Sequence, residues 1–156
     1  MAKSGFQTNA DPFNSQIPDL KLSTDSSFMA LTQTDLIEVK NTKGKGRGVF
    51  ARTLILKGTV FERVPLLVIP AAEILDCEHS KVLPGYIFEY KKQVALALGY
   101  GSLYNHSYSP NARYDDAGRQ IKEFSALRDI QPGEEITINY NGAEDIMDPV
   151  EFPVLD

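Results

Sequence analysis

A mostly β domain with little helix is what this chain predicts. Short stretches in which apolar and polar residues alternate recur between Leu36 and Tyr140, as half-buried strands require. Gly, Pro, Asn and Asp punctuate them at short intervals. No stretch keeps a helical period for more than a turn or two.

The elements follow in order. Met1 to Thr34 mixes Ser, Thr, Asn, Asp, Gln and Pro with isolated apolar residues and has no sustained period. Such a segment buries too little apolar surface to offset its ordering entropy, so a flexible arm is expected. Leu36 to Lys40 alternates as a strand. Asn41 to Gly48 is a turn-rich loop, and Val49 to Arg52 is a second short strand. Thr59 to Val64 alternates again after the Lys57-Gly58 turn. Leu66 to Ile69 is a short apolar run between Pro65 and Pro70, and Ala71 to Asp76 suits a turn or two of helix. Tyr86 to Tyr90 reads as a strand, and Val94 to Leu98 is apolar and ambiguous. Leu103 to Asn111 reads as a loop. Ala112 to Tyr114 and Ile121 to Ala126 can pair across Asp115-Asp116-Ala117-Gly118 as a hairpin. Pro132-Gly133 suits a type II turn, and Ile136 to Tyr140 is a strand. Pro149 and Pro153 limit regular structure in the tail.

The composition bounds the function. With 156 residues, 42% apolar and 24% charged, the chain is sized for one globular domain. Its net charge of −5 gives no general pull toward nucleic acid or anionic lipid, and tolerates a basic partner. One cysteine, Cys77, excludes an intrachain disulfide, and with two histidines no zinc site is expected. The longest apolar run, Val64 to Ala72, is broken by two prolines and is too short for a bilayer. Met1 to Phe13 lacks the apolar stretch of a signal peptide. An intracellular, reducing compartment is therefore expected, without a membrane.

Three motifs could carry chemistry. Gly44-Lys45-Gly46-Arg47-Gly48 lacks the Gly-Lys-Ser/Thr ending and following helix of a P-loop. Its glycines still let backbone approach a ligand closely. Asn105-His106-Ser107 suggests a nucleophilic triad, but there is no Gly-x-Ser-x-Gly elbow and the other histidine is His79. Glu134-Glu135 could do acid/base work, but reads better as solvated residues heading a strand.

In this order the three motifs resemble the SET domain, the protein-lysine methyltransferase module. Gly46-Arg47-Gly48 stands for its glycine loop, Asn105 to Asn111 for its Asn-His-Ser-x-x-Pro-Asn loop, and Gly133 to Tyr140 for Gly-Glu-Glu followed by a strand ending in Tyr. Ala97 to His106 is similar to the compact viral and bacterial SET proteins. The resemblance implies a β-clip of several small sheets with a C-terminal pseudoknot, bringing Asn105-His106 beside Tyr140. It divides the chain into an arm at 1–33, a SET domain at 34–148 and a closing segment at 149–156. It implies S-adenosylmethionine as cofactor, held at Lys45, Gly46, Arg47, Asn105 and His106. Tyr140 is then the catalytic tyrosine. Tyr86, Tyr104 and Tyr114 are candidate walls of a lysine channel, with core packing the alternative for the last two.

Two features depart from the pattern. No cysteine-rich flank can close the channel with zinc, and Asn141 stands where an aromatic residue is usual. Phe152 is the candidate to close the channel instead. The function implied is methylation of a lysine amine on a basic protein or peptide, such as a histone or ribosomal protein. The rival is a non-catalytic SET-like module that binds peptide or cofactor without turnover. Tyr140 favours the enzyme; the unusual C-terminal closure favours the rival. No direct nucleic-acid binding is expected, a homodimer stays open, and the compartment is cytoplasmic for a bacterial protein or nuclear for one acting on histones.

Overall fold

A computed structural model describes residues 31, 33–75, 82–150, 152 and 154. The expected arm lies outside the described residues except for Leu31 and Gln33, and so do Cys77 and His79. Gln33 Nε2 donates to the Tyr100 hydroxyl at 2.8 Å.

Nine strands and one five-residue helix are formed among the described residues. β1 (Ile37–Thr42) and β2 (Gly46–Ala51) make a hairpin. The strands reach further into the glycine-rich segment than sequence reasoning placed them, leaving Lys43–Lys45 as the turn. Gly44 and Gly46 have φ of 82° and 77°, which glycine adopts at little cost. β3 is one ten-residue strand, Val60–Ile69, where two segments separated by Pro65 were expected. The reason is a change of partner: Val60–Pro65 pairs with Ile121–Ser125 and Leu66–Ile69 with Val94–Ala97. Pro65 stands at the handover, where its carbonyl accepts from Leu98 N–H at 3.1 Å. α1 (Ala71–Leu75) follows.

β4 (Ile87–Tyr90) and β5 (Gln93–Ala97) form a second hairpin, which settles the ambiguous apolar run as a strand. β6 is only Asn105–His106, within the segment expected to be a loop. β7 (Ala112–Asp116) and β8 (Ile121–Ala126) form the expected hairpin, but pairing runs on through Asp115 and Asp116. Lys122 faces Asp116 across the ladder and binds it at 2.7 Å, which extends the strands past the predicted turn. Before β9 (Glu135–Ile138), Gly133 has φ of 82° and Glu134 N–H bonds Gln131 C=O at 3.0 Å, as a type II turn requires.

The strands make a sheet of order β1-β2-β9-β6 and another of order β4-β5-β3-β8-β7. Phe61, Tyr104, Phe124, Ile130, Ile136 and Ile138 are buried in the core. Tyr104 and Phe124 stack with centroids 4.5 Å apart. The last strand, β9, is antiparallel to β2 and parallel to β6, pairing Asn105 with Thr137 and His106 with Ile138. This is the step that brings the glycine hairpin, the Asn-His segment and the chain end together.

Candidate active site

Consecutive side chains of a strand point to opposite faces. In β6 this sends Asn105 toward the glycine hairpin and His106 toward the C-terminal segment. Two adjacent residues thereby face two different groups of side chains.

On the first side, Asn105 Nδ2 donates to Glu135 Oε1 at 2.6 Å and to the Arg47 carbonyl at 3.3 Å. Lys45 Nζ lies 3.6 Å from Glu135 Oε2, and Thr42 Oγ1 lies 3.5 Å from Oε1. Gly48 is the floor of this knot. A Cβ there would come within 2.6 Å of Glu135 Oε1 and 2.8 Å of Asn105 Nδ2. Gly46, by contrast, faces open space: nothing lies within 4 Å of a Cβ built on it. Of the residues assigned to the cofactor, Lys45, Gly46, Arg47 and Asn105 therefore gather here.

On the second side, His106 is buried and its Nδ1 accepts Tyr140 N–H at 3.1 Å. The Tyr140 hydroxyl donates to the Tyr104 carbonyl at 2.8 Å. Phe152 meets both rings edge-on, 5.9 Å from Tyr140 and 6.1 Å from His106. Burial, with Tyr86 and Glu135 nearby, pushes the Tyr140 phenol up to about 12, so it keeps its proton at neutral pH. Tyr104, Tyr140 and Phe152 open onto a cleft of about 1020 Å3 that Tyr86, Phe88, Tyr114 and Lys122 also line.

The candidate channel residues fall in different places. Tyr86 is 44% exposed in the cleft. Tyr114 donates to the Tyr140 carbonyl at 3.4 Å. Tyr104 contributes its carbonyl to the Tyr140 hydroxyl while its ring is core. Its own hydroxyl is buried and donates to Glu62 Oε2 at 2.8 Å, and burial raises both groups above their ordinary values.

Sequence reasoning missed four contributors. Glu62 is half-buried and accepts from Tyr104 and from Tyr100 N–H. Lys122 is 2% exposed, with its ammonium 5.0 Å from the Phe88 centroid and 4.8 Å from that of Tyr114. The available signal was register: along its strand Lys122 shares a face with Phe124 and Ala126, which are buried. Tyr108 donates to Asp148 C=O at 3.0 Å and accepts Val150 N–H at 3.2 Å. Asn141, noted only for not being aromatic, holds the same tail by donating to Asp148 C=O at 2.9 Å. These bonds fold residues 146–150 back, next to the Phe152 contacts.

Asn111 joins the loop to β9. Its amide donates to Glu135 C=O at 2.8 Å and Glu134 Oε1 at 3.1 Å, and accepts Thr137 N–H at 2.9 Å. Glu134 is also paired with Arg128, whose guanidinium holds its carboxyl down to about 2 from an ordinary 4.5. Glu134 is thus a clamp rather than a freely solvated residue. As pH falls the unfolded chain takes up this proton first, so the clamp stabilises fully above about pH 4.5 and fades toward pH 2. Glu134→Gln is expected to lower the melting temperature at pH 7, with the gap to wild type closing between about pH 5 and pH 2.5. A gap independent of pH in thermal melts would contradict the ion pair.

Residues 46–141 match the SET-domain family model. The chain belongs to the SET-domain family, and its class is protein-lysine methyltransferase; enzymes of this family generally use S-adenosylmethionine. It is 35% identical over 107 residues to the histone-lysine N-methyltransferase, H3 lysine-37 specific, of Schizosaccharomyces pombe, covering 67% of this chain and 72% of that one. It also matches the crystal structure of a candidate histone methyltransferase from Plasmodium falciparum. There the identity is 31% and the TM-score 0.57, over 70% of this chain and 95% of that one.

Proposed function

We propose that this chain transfers a methyl group from S-adenosylmethionine to a lysine amine of a basic protein, with histone H3 the first candidate, through Tyr140. One observation carries the reading: the two-residue β6 joins a polar knot beside an open glycine turn to a tyrosine-walled cleft. The knot suits a zwitterionic cofactor. Lys45 and Glu135 offer one charge of each sign, Asn105 offers a donor and an acceptor, and the open space at Gly46 lets a ligand meet backbone. When bound, the cofactor supplies an electrophilic methyl on a cationic sulfonium.

The chain's own residues do the rest. A lysine of ordinary pKa 10.4 costs about 4.6 kcal/mol to deprotonate at pH 7. Aromatic walls at Tyr86, Tyr114 and Phe152 desolvate the side chain and favour the neutral amine. The Tyr140 hydroxyl spends its proton on the Tyr104 carbonyl, so its oxygen is left to accept an N–H from the incoming amine. That bond aims the nitrogen lone pair away from Tyr140, and alignment supplies most of the acceleration. His106 fixes Tyr140 through its backbone N–H. Acidic Glu89, Asp115, Asp116 and Asp148 line the same cleft, which favours a basic peptide over an acidic one. Such a substrate fits a nuclear site of action.

The test is incubation with methyl-labelled cofactor and either histone H3 or mixed basic proteins, with modified lysines located by mass spectrometry. Transfer to a lysine is expected. No transfer to any basic protein would leave the non-catalytic module as the reading. A second test addresses the knot. Asn105→Ala is expected to weaken cofactor binding about tenfold by calorimetry, the worth of roughly one polar contact. Because Asn105 is only half-buried, the melting temperature should move little. Unchanged affinity would remove Asn105 from the cofactor site.

A further inference from the structure

Two hairpins contribute strands to the active-site cleft and turns to a second cleft of about 530 Å3. The β4–β5 turn brings Lys91 and Lys92, and the β7–β8 turn brings Arg119. The remaining lining is Val68, Tyr90, Gln93 and Gln120, with no carboxylate among them. The turns are tied together: Gln120 N–H donates to the Tyr90 hydroxyl at 3.0 Å, and Lys91 Nζ lies 5.2 Å from the Tyr90 ring centroid. Lys91 and Gln120 both take left-handed backbone, at φ 58° and 57°, although neither is glycine. Among the described residues, Lys91, Lys92 and Arg119 have no carboxylate within ion-pairing distance. Of the carboxylates on the same two hairpins, Asp115 is held by Arg113, Asp116 by Lys122 and Glu123 by Arg63, and Glu89 lines the active-site cleft instead.

We infer that this second cleft binds the phosphodiester backbone of a nucleic acid. Three cations without an ion-pair partner among the described residues, on two fixed turns, make a local positive field in a chain whose net charge is −5. The two exposed glutamines, Gln93 and Gln120, add polar side chains of the kind that contact phosphate and sugar. A membrane surface fits less well, since Val68 is the only aliphatic residue lining the cleft and nothing there could enter a bilayer. The inference does not rest on the methyltransferase reading and uses none of its residues.

The test is fluorescence anisotropy of the full chain with a short labelled DNA duplex and with labelled single-stranded RNA, at rising salt. Three phosphate contacts predict a slope of log K against log salt of about −2.7 on duplex, a loss of roughly fortyfold between 50 and 200 mM. Replacing Lys91, Lys92 and Arg119 together by Gln should cut affinity at least tenfold at about 50 mM salt and flatten the slope, each cation accounting for about one. Lys57→Gln, outside the cleft, should bind as wild type. Thermal melts and methylation of an isolated basic peptide should be unchanged in the triple variant, which separates loss of binding from loss of fold. Absence of binding to both nucleic acids, or equal binding by wild type and triple variant, would overturn the proposal. So would binding confined to phosphatidylserine vesicles or to inorganic phosphate.

Discussion

Tyr140→Phe is expected to reduce the rate of methyl transfer by roughly ten- to a hundredfold, the equivalent of about 1 to 3 kcal/mol. Cofactor affinity measured by calorimetry should stay within a factor of about two, because Tyr140 lies on the side of β6 away from the Asn105 knot. The ring stays, so its contacts with His106 and Phe152 are retained. Only the oxygen between the Tyr104 carbonyl and the incoming amine is lost. A fall in kcat with unchanged binding marks an interaction made mainly in the transition state. The pH profile adds a second readout. With the phenol pushed up to about 12, Tyr140 does not titrate over an assay range of about pH 7 to 10. The rise of rate with pH then reports the substrate amine, and Tyr140→Phe should lower the profile without changing its shape. Equal turnover by wild type and variant would take the catalytic role from Tyr140 while leaving the chain an enzyme.

Asn111→Ala is expected to be the costliest polar substitution for stability. Asn111 is 2% exposed, and its amide is the partner of Glu135 C=O, Thr137 N–H and the Glu134 carboxylate. Alanine removes all three bonds and leaves buried backbone groups without a partner, at about 1–3 kcal/mol each. A loss on the order of 3 kcal/mol corresponds to a fall in melting temperature of about 10 °C for a domain of this size. Because these bonds anchor the start of β9, both halves of the site should suffer: Asn105 loses the position of Glu135, and His106 that of Tyr140. A melt within about 2 °C of wild type would mean that water or a neighbouring side chain replaces the amide.

Local chemistry made much of the fold legible. The segments read as strands at Leu36–Lys40, Tyr86–Tyr90 and Ile121–Ala126 became Ile37–Thr42, Ile87–Tyr90 and Ile121–Ala126, with Tyr86 closing a 3-10 turn, and Pro132-Gly133 became the turn its residues favour. Periods and turn residues report on neighbours in sequence, so elements set by neighbours were readable. β6 was not, because two residues have no period. Asn105–His106 is a strand only because β9 lies parallel to it. Pro65 read as a break because the sequence does not tell that the strand changes partners there.

The site divides in the same way. Order and spacing of the glycine loop, Asn105 to Asn111 and Gly133 to Tyr140 were enough to point to the family, and they made Tyr140 the residue proposed for catalysis. Which atom of each residue is used was decided only in three dimensions. Tyr104 turns its ring into the core and offers its carbonyl; Lys122, polar by composition, is buried between two rings; Glu134 is clamped by Arg128 and Asn111. Net charge is likewise only a sum: −5 does not tell that Lys91, Lys92 and Arg119 meet at one end of a sheet because two hairpins end there. Sequence carries residue types and their local order. Burial, partner and direction arise from contacts between residues far apart in the chain, and only the folded arrangement fixes them.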